Sequence, residues 1–271
     1  MEVLVISSDL GLHPKNVHHM MSKNFANYIK GPELREDFEA FGDGILTTDS
    51  DAWKYHRTLL HSLLKTKSFG MILEKNARKK VEIGRNAKTS ALTWFFWFVG
   101  KHPSVEAKIL EEIKEEKEEQ YQVYLHGALC EALRLYPPVP FERNEAIKHD
   151  VLPSGHEVGP GTKIMSFLYA MGRSEEAWGK DCLEFRPERW ISERGSIVHI
   201  PSFKFVRFNA GARTCLGKDL SFMQMKIVAS SILRNYQAHV VEDHPISPPL
   251  SIIFLMKYGL KVRITERVIY C

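Results

Sequence analysis

Phe208-Asn209-Ala210-Gly211-Ala212-Arg213-Thr214-Cys215-Leu216-Gly217 is the stretch on which the reading of this chain turns. It reads as a glycine-bearing loop that presents one cysteine and runs straight into a helix. Phe222, Met225, Ala229, Ile232 and Tyr236 recur at helical spacing from Lys218 onward. Cys215 therefore stands just before a helix N-terminus, where free N–H groups and the dipole favour a thiolate. Gly211 and Gly217 allow tight turns and leave room for a flat group against the loop. A shielded lone thiolate is a natural axial ligand for haem iron, whereas the plain alternative is an inert cysteine at a loop–helix junction.

Ten residues do not decide between these alternatives, but the pattern Phe-x-x-Gly-x-Arg-x-Cys-x-Gly does more. It resembles the haem-binding signature of the cytochrome P450 family at every fixed position, with Ala212 where many members carry proline. The resemblance implies Cys215 as proximal ligand of haem b (iron protoporphyrin IX), Arg213 as partner of a haem propionate and Phe208 as a cover over the sulfur.

Other stretches resemble the family in the family's order. Trp53-Lys54-Tyr55-His56-Arg57 is similar to the helix whose Trp and Arg bond a propionate. A partly buried carboxylate needs such donors. Asp49, Ser50 or Asp51 is expected to cap that helix. Glu131 and Arg134 share a helix face and could form an ordinary surface pair. The resemblance makes them the Glu-x-x-Arg motif, completed by Arg189 of Phe185-Arg186-Pro187-Glu188-Arg189-Trp190. Arg143, by resemblance only, reaches a propionate.

The 271 residues suffice for one large domain or two small ones. A hydrophobic content of 44% with 26% charged residues is globular. The net charge of +4, from 37 basic and 33 acidic residues, is too balanced for a nucleic-acid partner. Cys130, Cys182, Cys215 and Cys271 are widely spaced, which fits neither a disulfide scaffold nor a zinc site. Cys130 and Cys182 read as structural. His13, His18 and His19 lack further ligands for a metal and read as surface residues. The interrupted basic run 75–80 reads as a solvated helix face. No glycine-rich nucleotide loop and no serine–histidine nucleophile is found.

Taken in order, residues 3–6 are a strand candidate, and a helix carrying Val17, Met20, Met21, Phe25 and Tyr28-Ile29 is stopped by Gly31-Pro32. Residues 74–82 read as a charged helical stretch, and residues 89–99 as a helix apolar all round, hence buried. Pro103 opens a helix with Val105, Ile109 and Ile113 on one face. Residues 124–135 form another. Val151-Leu152, 156–158 and 163–167 are expected to form one small antiparallel sheet, and 251–256 with 260–265 a closing hairpin.

The fold class expected is mainly α with small antiparallel β-sheets, a truncated cytochrome P450 fold. One partial domain covers residues 1–271. It comprises an N-terminal segment (residues 1–82) and a haem-binding C-terminal segment (residues 83–271), with a family segment missing near 82–84. The longest apolar run, 91–99, is about half of what a membrane span needs, and the N-terminus does not read as a signal or anchor. The finer likeness is to plant enzymes hydroxylating long-chain alkanes and fatty acids. It implies O2, electrons from NADPH through NADPH–cytochrome P450 reductase, a long-chain lipid substrate and the endoplasmic reticulum membrane. The missing anchor leaves a cytosolic or peripheral location open. In the family an Ala-Gly-x-Asp-Thr-Thr pattern relays protons for oxygen cleavage. Here Ile83-Gly84-Arg85-Asn86-Ala87-Lys88 matches it, so Asn86 and Ala87 replace the acid and the alcohol. Two readings follow: a haem-thiolate monooxygenase, or a non-catalytic truncated relic or interaction protein with weak or no haem binding.

Overall fold

The computed structural model describes residues 3–6, 14–39, 42–64, 82–115, 122–248 and 251–267. Its helices in chain order are α1 (Pro14–His18), α2 (Pro32–Asp37), α3 (Ser50–Leu64), α4 (Glu82–Lys101), α5 (Pro103–Lys114), α6 (Val123–Leu135), α7 (Leu168–Met171), α8 (Glu175–Trp178) and α9 (Lys218–Asn235). The strands are β1 (Val3–Ile6), β2 (Tyr28–Ile29), β3 (Glu142–Ala146), β4 (Asp150–Val151), β5 (Glu157–Val158), β6 (Lys163–Ser166), β7 (Tyr236–Val240) and β8 (Val262–Glu266). The fold is mainly helical with small sheets, as the residue pattern implies. Among the described residues no helix is long and apolar enough to cross a membrane. The basic run 75–80, His13 and Cys271 lie outside the described residues, as do the side chains around the expected join at 82–84.

The chain divides into two compact units that interleave along the sequence. The first joins residues 1–82 with 141–171 and 202–216, so the cysteine loop packs with N-terminal residues. Its sheet has the order β1-β6-β3-β2. β3 pairs antiparallel with β6 (Arg143 opposite Met165) and β2 (Tyr28 opposite Ala146), while β1 runs parallel to β6. The expected single sheet over 151–167 is therefore two: β4 and β5 close a hairpin of their own, and β6 joins β3. Glu142-Arg143-Asn144-Glu145-Ala146 has almost no apolar alternation, which hides β3 in the sequence. Val17, Met20, Met21, Tyr28, Ile164, Val206 and Ala210 share one core. The helix expected to reach Tyr28-Ile29 ends at His18, and a π-helical turn (His19–Lys23) and a 3-10 turn follow it. Gly31-Pro32 starts α2 rather than only stopping a helix, because Pro32 fits the first turn.

The second unit holds residues 83–140, 172–201 and 217–271. α4 buries Trp94, Phe95, Phe98 and Val99, with Trp94 stacked on Tyr136 at 3.7 Å. α5 buries Val105, Ile109 and Ile113. Glu112 on α5 caps α6 from outside, its carboxylate accepting from the Tyr124 and Leu125 N–H groups at 2.8 and 2.9 Å. α9 buries Phe222, Met225, Ala229 and Leu233; Tyr236 has already passed into β7. The hairpin expected between 251–256 and 260–265 does not form: β8 pairs with β7 instead. The backbone of Phe254 is held elsewhere, donating to the Pro138 carbonyl at 2.9 Å and accepting from Ser90 Oγ and Trp94 Nε1 at 2.6 and 2.9 Å.

A candidate cofactor site around Cys215

The loop is built by two residues of positive φ in alternation. Asn209 (φ 61°, ψ −178°) holds a conformation that side chains rarely adopt, its own Oδ1 accepting from the Ala210 N–H at 2.7 Å and its Nδ2 donating to Glu142 at 3.0 Å. Gly211 (φ 57°) is required on two grounds, since a Cβ there would also overlap the Met21 carbonyl. The Cys215 N–H closes the loop on the Phe208 carbonyl at 2.7 Å, and the Thr214 N–H and Oγ1 donate to the Gly211 carbonyl at 3.2 and 2.8 Å. Phe208 thus touches Cys215 through its backbone. Cys215 is exposed, while Cys130 and Cys182 are buried, and burial pushes the Cys130 thiol up. Gly217 (φ −89°) occupies the N-cap of α9 without needing a left-handed turn.

Arg213, Trp53 and Arg57 come together beside this loop. The Arg213 guanidinium lies 4.9 Å from the Trp53 ring centre and 5.8 Å from that of Phe25; Arg57 lies 5.6 Å from Trp53. Arg213 is only 9% exposed, and its Nη2 donates to Asp49 Oδ1 at 2.5 Å and to the Thr48 carbonyl at 3.1 Å. Its buried Nε has no acceptor among the described residues. Burial works against the charge of both arginines; Cys215 favours the charged Arg57, and Asp49 the charged Arg213. Two guanidiniums around an indole, one with a buried donor that has no acceptor among the described residues, could hold a carboxylate of a flat apolar group. The donor set therefore fits a haem propionate.

Asp49, one of three cap candidates for α3, does stand at its N-cap, its carbonyl accepting from the Trp53 N–H at 3.2 Å, but its carboxylate is used elsewhere. That carboxylate accepts the Lys30 and Gly31 N–H groups at 2.9 and 3.1 Å and binds Arg213. Nothing in its local pattern distinguishes that use from capping. Arg143 lies on β3, where its Nη1 donates to Asp37 at 3.1 Å. His19 is no free surface residue, for its Nε2 lies 2.7 Å from Asp150 Oδ2. His18 stacks on Phe203 at 4.6 Å.

In the second unit, Glu131 and Arg134 are both 0% exposed, which rules out the surface-pair alternative. Arg134 donates to Glu131 from Nε and Nη2 at 2.8 and 2.7 Å, and to the Cys182 and Glu184 carbonyls at 2.6 and 3.0 Å. Arg189 Nε reaches Glu131 at 3.3 Å, joined by the Arg186 N–H at 3.1 Å and Trp190 Nε1 at 2.8 Å. Trp190 is a member that the three-residue motif does not name. On α4, Asn86, Ala87 and Lys88 are half-buried, and Lys88 Nζ donates to Gln224 on α9 at 2.6 Å.

The cysteine loop with Arg213, Arg57 and Trp53 beside it, and the buried Glu131, Arg134 and Arg189 network, are the stretches on which the family resemblance rests. A family model for cytochrome P450 matches residues 84–262. The alkane hydroxylase MAH1 of Arabidopsis thaliana is 41% identical over 259 residues, covering 93% of this chain and 50% of that protein. Noroxomaritidine synthase 2 of Narcissus aff. pseudonarcissus MK-2014 is 45% identical over 213 residues (72% of this chain, 42% of that protein). Cytochrome P450 86B1 of Arabidopsis thaliana is 42% identical over 205 residues (68% and 36%). The chain belongs to the cytochrome P450 family of monooxygenases, and it spans about half the length of the curated relatives it matches.

Proposed function

We propose that this chain is a partial cytochrome P450 domain that holds haem b through Cys215 and hydroxylates a long-chain alkane or fatty acid. The observation that carries the cofactor reading is the buried, unpartnered Nε of Arg213 beside Trp53 and Arg57, on the loop that presents Cys215. Arg213 and Arg57 would hold the carboxylates, Gly211 would keep the loop low beneath the ring, and Gly217 would pass the chain into α9. Thiolate-ligated haem supplies activation of O2 for insertion of an oxygen atom into a C–H bond, using electrons from NADPH through a reductase. The alkane hydroxylase likeness favours an aliphatic substrate, while the synthase likeness at 45% keeps the substrate class open to test. The family's reductase partner and endoplasmic reticulum setting belong to the same proposal.

One observation favours a second reading, a haem binder without turnover. Asn86 and Ala87 stand where the family resemblance places an acid and an alcohol, and neither can deliver a proton. Reduced, haem-supplied chain under carbon monoxide is expected to show the Soret band of thiolate-ligated iron. Cys215→Ser is expected to abolish that band, and a wild-type chain without it would refute the ligand assignment. Formation of a hydroxylated alkane or fatty acid with reductase and NADPH then separates the two readings.

A further inference from the structure

The cysteine loop rests on the π-helical turn His19–Lys23. Gly211 lies so close to Met21 that an added Cβ would overlap its carbonyl oxygen and stand 2.7 Å from Ser22 Oγ. Val206 and Ala210 of the loop share a core with Val17, Met20, Met21 and Tyr28. A π turn has poor hydrogen-bond geometry of its own and persists where its surroundings fix it. Here a single carboxylate oxygen does much of that fixing. Asp150 Oδ2 accepts from His19 Nε2 at 2.7 Å, Asn24 Nδ2 at 2.7 Å and Tyr28 Oη at 2.6 Å, while Oδ1 accepts from the Val151 N–H at 2.8 Å. Of these donors His19 opens the turn, and Asn24 and Tyr28 follow it. Burial alone would raise the Asp150 carboxyl; the bonds from Tyr28, His19 and Asn24 outweigh it and hold the group ionised.

We propose that Asp150 is a positioning residue for the cysteine loop, acting through His19, Asn24, Tyr28 and the Met21 carbonyl on Gly211. The consequence for iron ligation rests on the reading of Cys215 as a haem ligand; the consequence for loop order does not. Asp150→Asn removes the charge, and whichever way its amide turns, the NH2 group faces either the three side-chain donors or the Val151 N–H.

The test uses the full chain and two readouts. Without haem, amide hydrogen exchange at Thr214 and Cys215, bonded to Gly211 and Phe208, is expected to quicken at least tenfold in Asp150→Asn, with α6 unchanged. With haem, the fraction of reduced chain showing the thiolate band is expected to fall at least twofold at equal bound haem. Ser154→Ala, which on the same β4–β5 hairpin removes the Oγ that accepts from Asn16 and keeps the Ser154 N–H bond to it, is expected to leave both readouts at wild-type values. If Asp150→Asn does not fold, Tyr28→Phe deletes one donor and is expected to shift both readouts in the same direction. Faster exchange confined to 19–28, with Thr214 and Cys215 as protected as in wild type, would overturn the proposal. Wild type lacking the thiolate band would instead refute the ligand reading, and the exchange arm would still decide this one.

Discussion

Glu131→Gln should be among the costliest single substitutions in the second unit. The carboxylate accepts five hydrogen bonds: two from Arg134 and one each from Arg186, Arg189 and Trp190. The amide keeps one oxygen and turns an NH2 group toward donors. Arg134, fully buried, then carries a charge without its counter-ion, a loss of about 3–5 kcal/mol. An orphaned Trp190 N–H adds about 1–3 kcal/mol. These groups share one network, so the losses overlap, and about 4–6 kcal/mol is expected. That is a large part of the 5–15 kcal/mol (order of magnitude) that holds an ordinary domain. Urea unfolding followed by tryptophan fluorescence is the assay, because Trp94, Trp97, Trp178 and Trp190 all lie in this unit. With a slope of about 2–3 kcal/mol/M the midpoint falls by about 2 M. Glu188→Gln is the contrast: its carboxylate meets Lys108 and Tyr124 at the surface, so its loss is expected to cost under about 1 kcal/mol. Equal costs for the two substitutions would refute the claim that burial makes the Glu131 network strong.

Burial, with Lys226 and Lys218 nearby, pushes His126 from its ordinary 6.5 to about 4. The neutral form is favoured in the fold, so its contribution is complete above pH 6.5 and is lost as pH falls toward 4, about 3 kcal/mol in all. His126→Gln should flatten the melting-temperature profile between those values, and an unchanged slope would count against it. Ser50 sits at φ 53° at the start of α3, a conformation costly for a side chain. Ser50→Gly is expected to stabilise by about 0.5–1 kcal/mol, raising the melting temperature by about 2–4 °C; a lower one would mean that the strain is not there. Arg213→Lys keeps the charge but loses the planar fork and its Nε, and is expected to weaken haem binding about tenfold or more in a titration. Unchanged affinity would remove the propionate assignment.

The features legible in the sequence are those that local chemistry dictates. Pro103 with Val105, Ile109 and Ile113, the apolar run of α4 and the spacing of α9 each specify a helix and its buried face. The cysteine loop was legible from Gly211 and the spacing of Phe208, Arg213, Cys215 and Gly217, although Gly217 proved an ordinary N-cap and nothing local announced the positive φ of Asn209. What escaped was long-range pairing. β3 carries Glu142, Arg143, Asn144 and Glu145, and only the partners on β2 and β6 make it a strand. β8 chose β7 over the nearer 251–256 because Ser90, Trp94 and Pro138 already hold the Phe254 backbone. Asp49 keeps its place at the start of α3 through its carbonyl, while its carboxylate serves Arg213, 164 residues away, a pairing that no local pattern displays.

These differences bear on function. Beside the cysteine loop, Trp53 lies against Phe25 at 5.4 Å, Arg213 is bonded to Asp49, and Asp49 accepts two backbone N–H groups. On the proposed reading, side chains held this closely would take up a carboxylate with little further ordering. Proton delivery has no such support. Lys88 on α4 is tied to Gln224, and the preceding Asn86 and Ala87 offer no titratable group. Binding and turnover should therefore separate experimentally. Asn86→Asp with Ala87→Thr is expected to leave the haem affinity within about twofold and to raise product formed per NADPH consumed. A change in affinity with no change in that ratio would mean that these positions shape the pocket instead of moving protons.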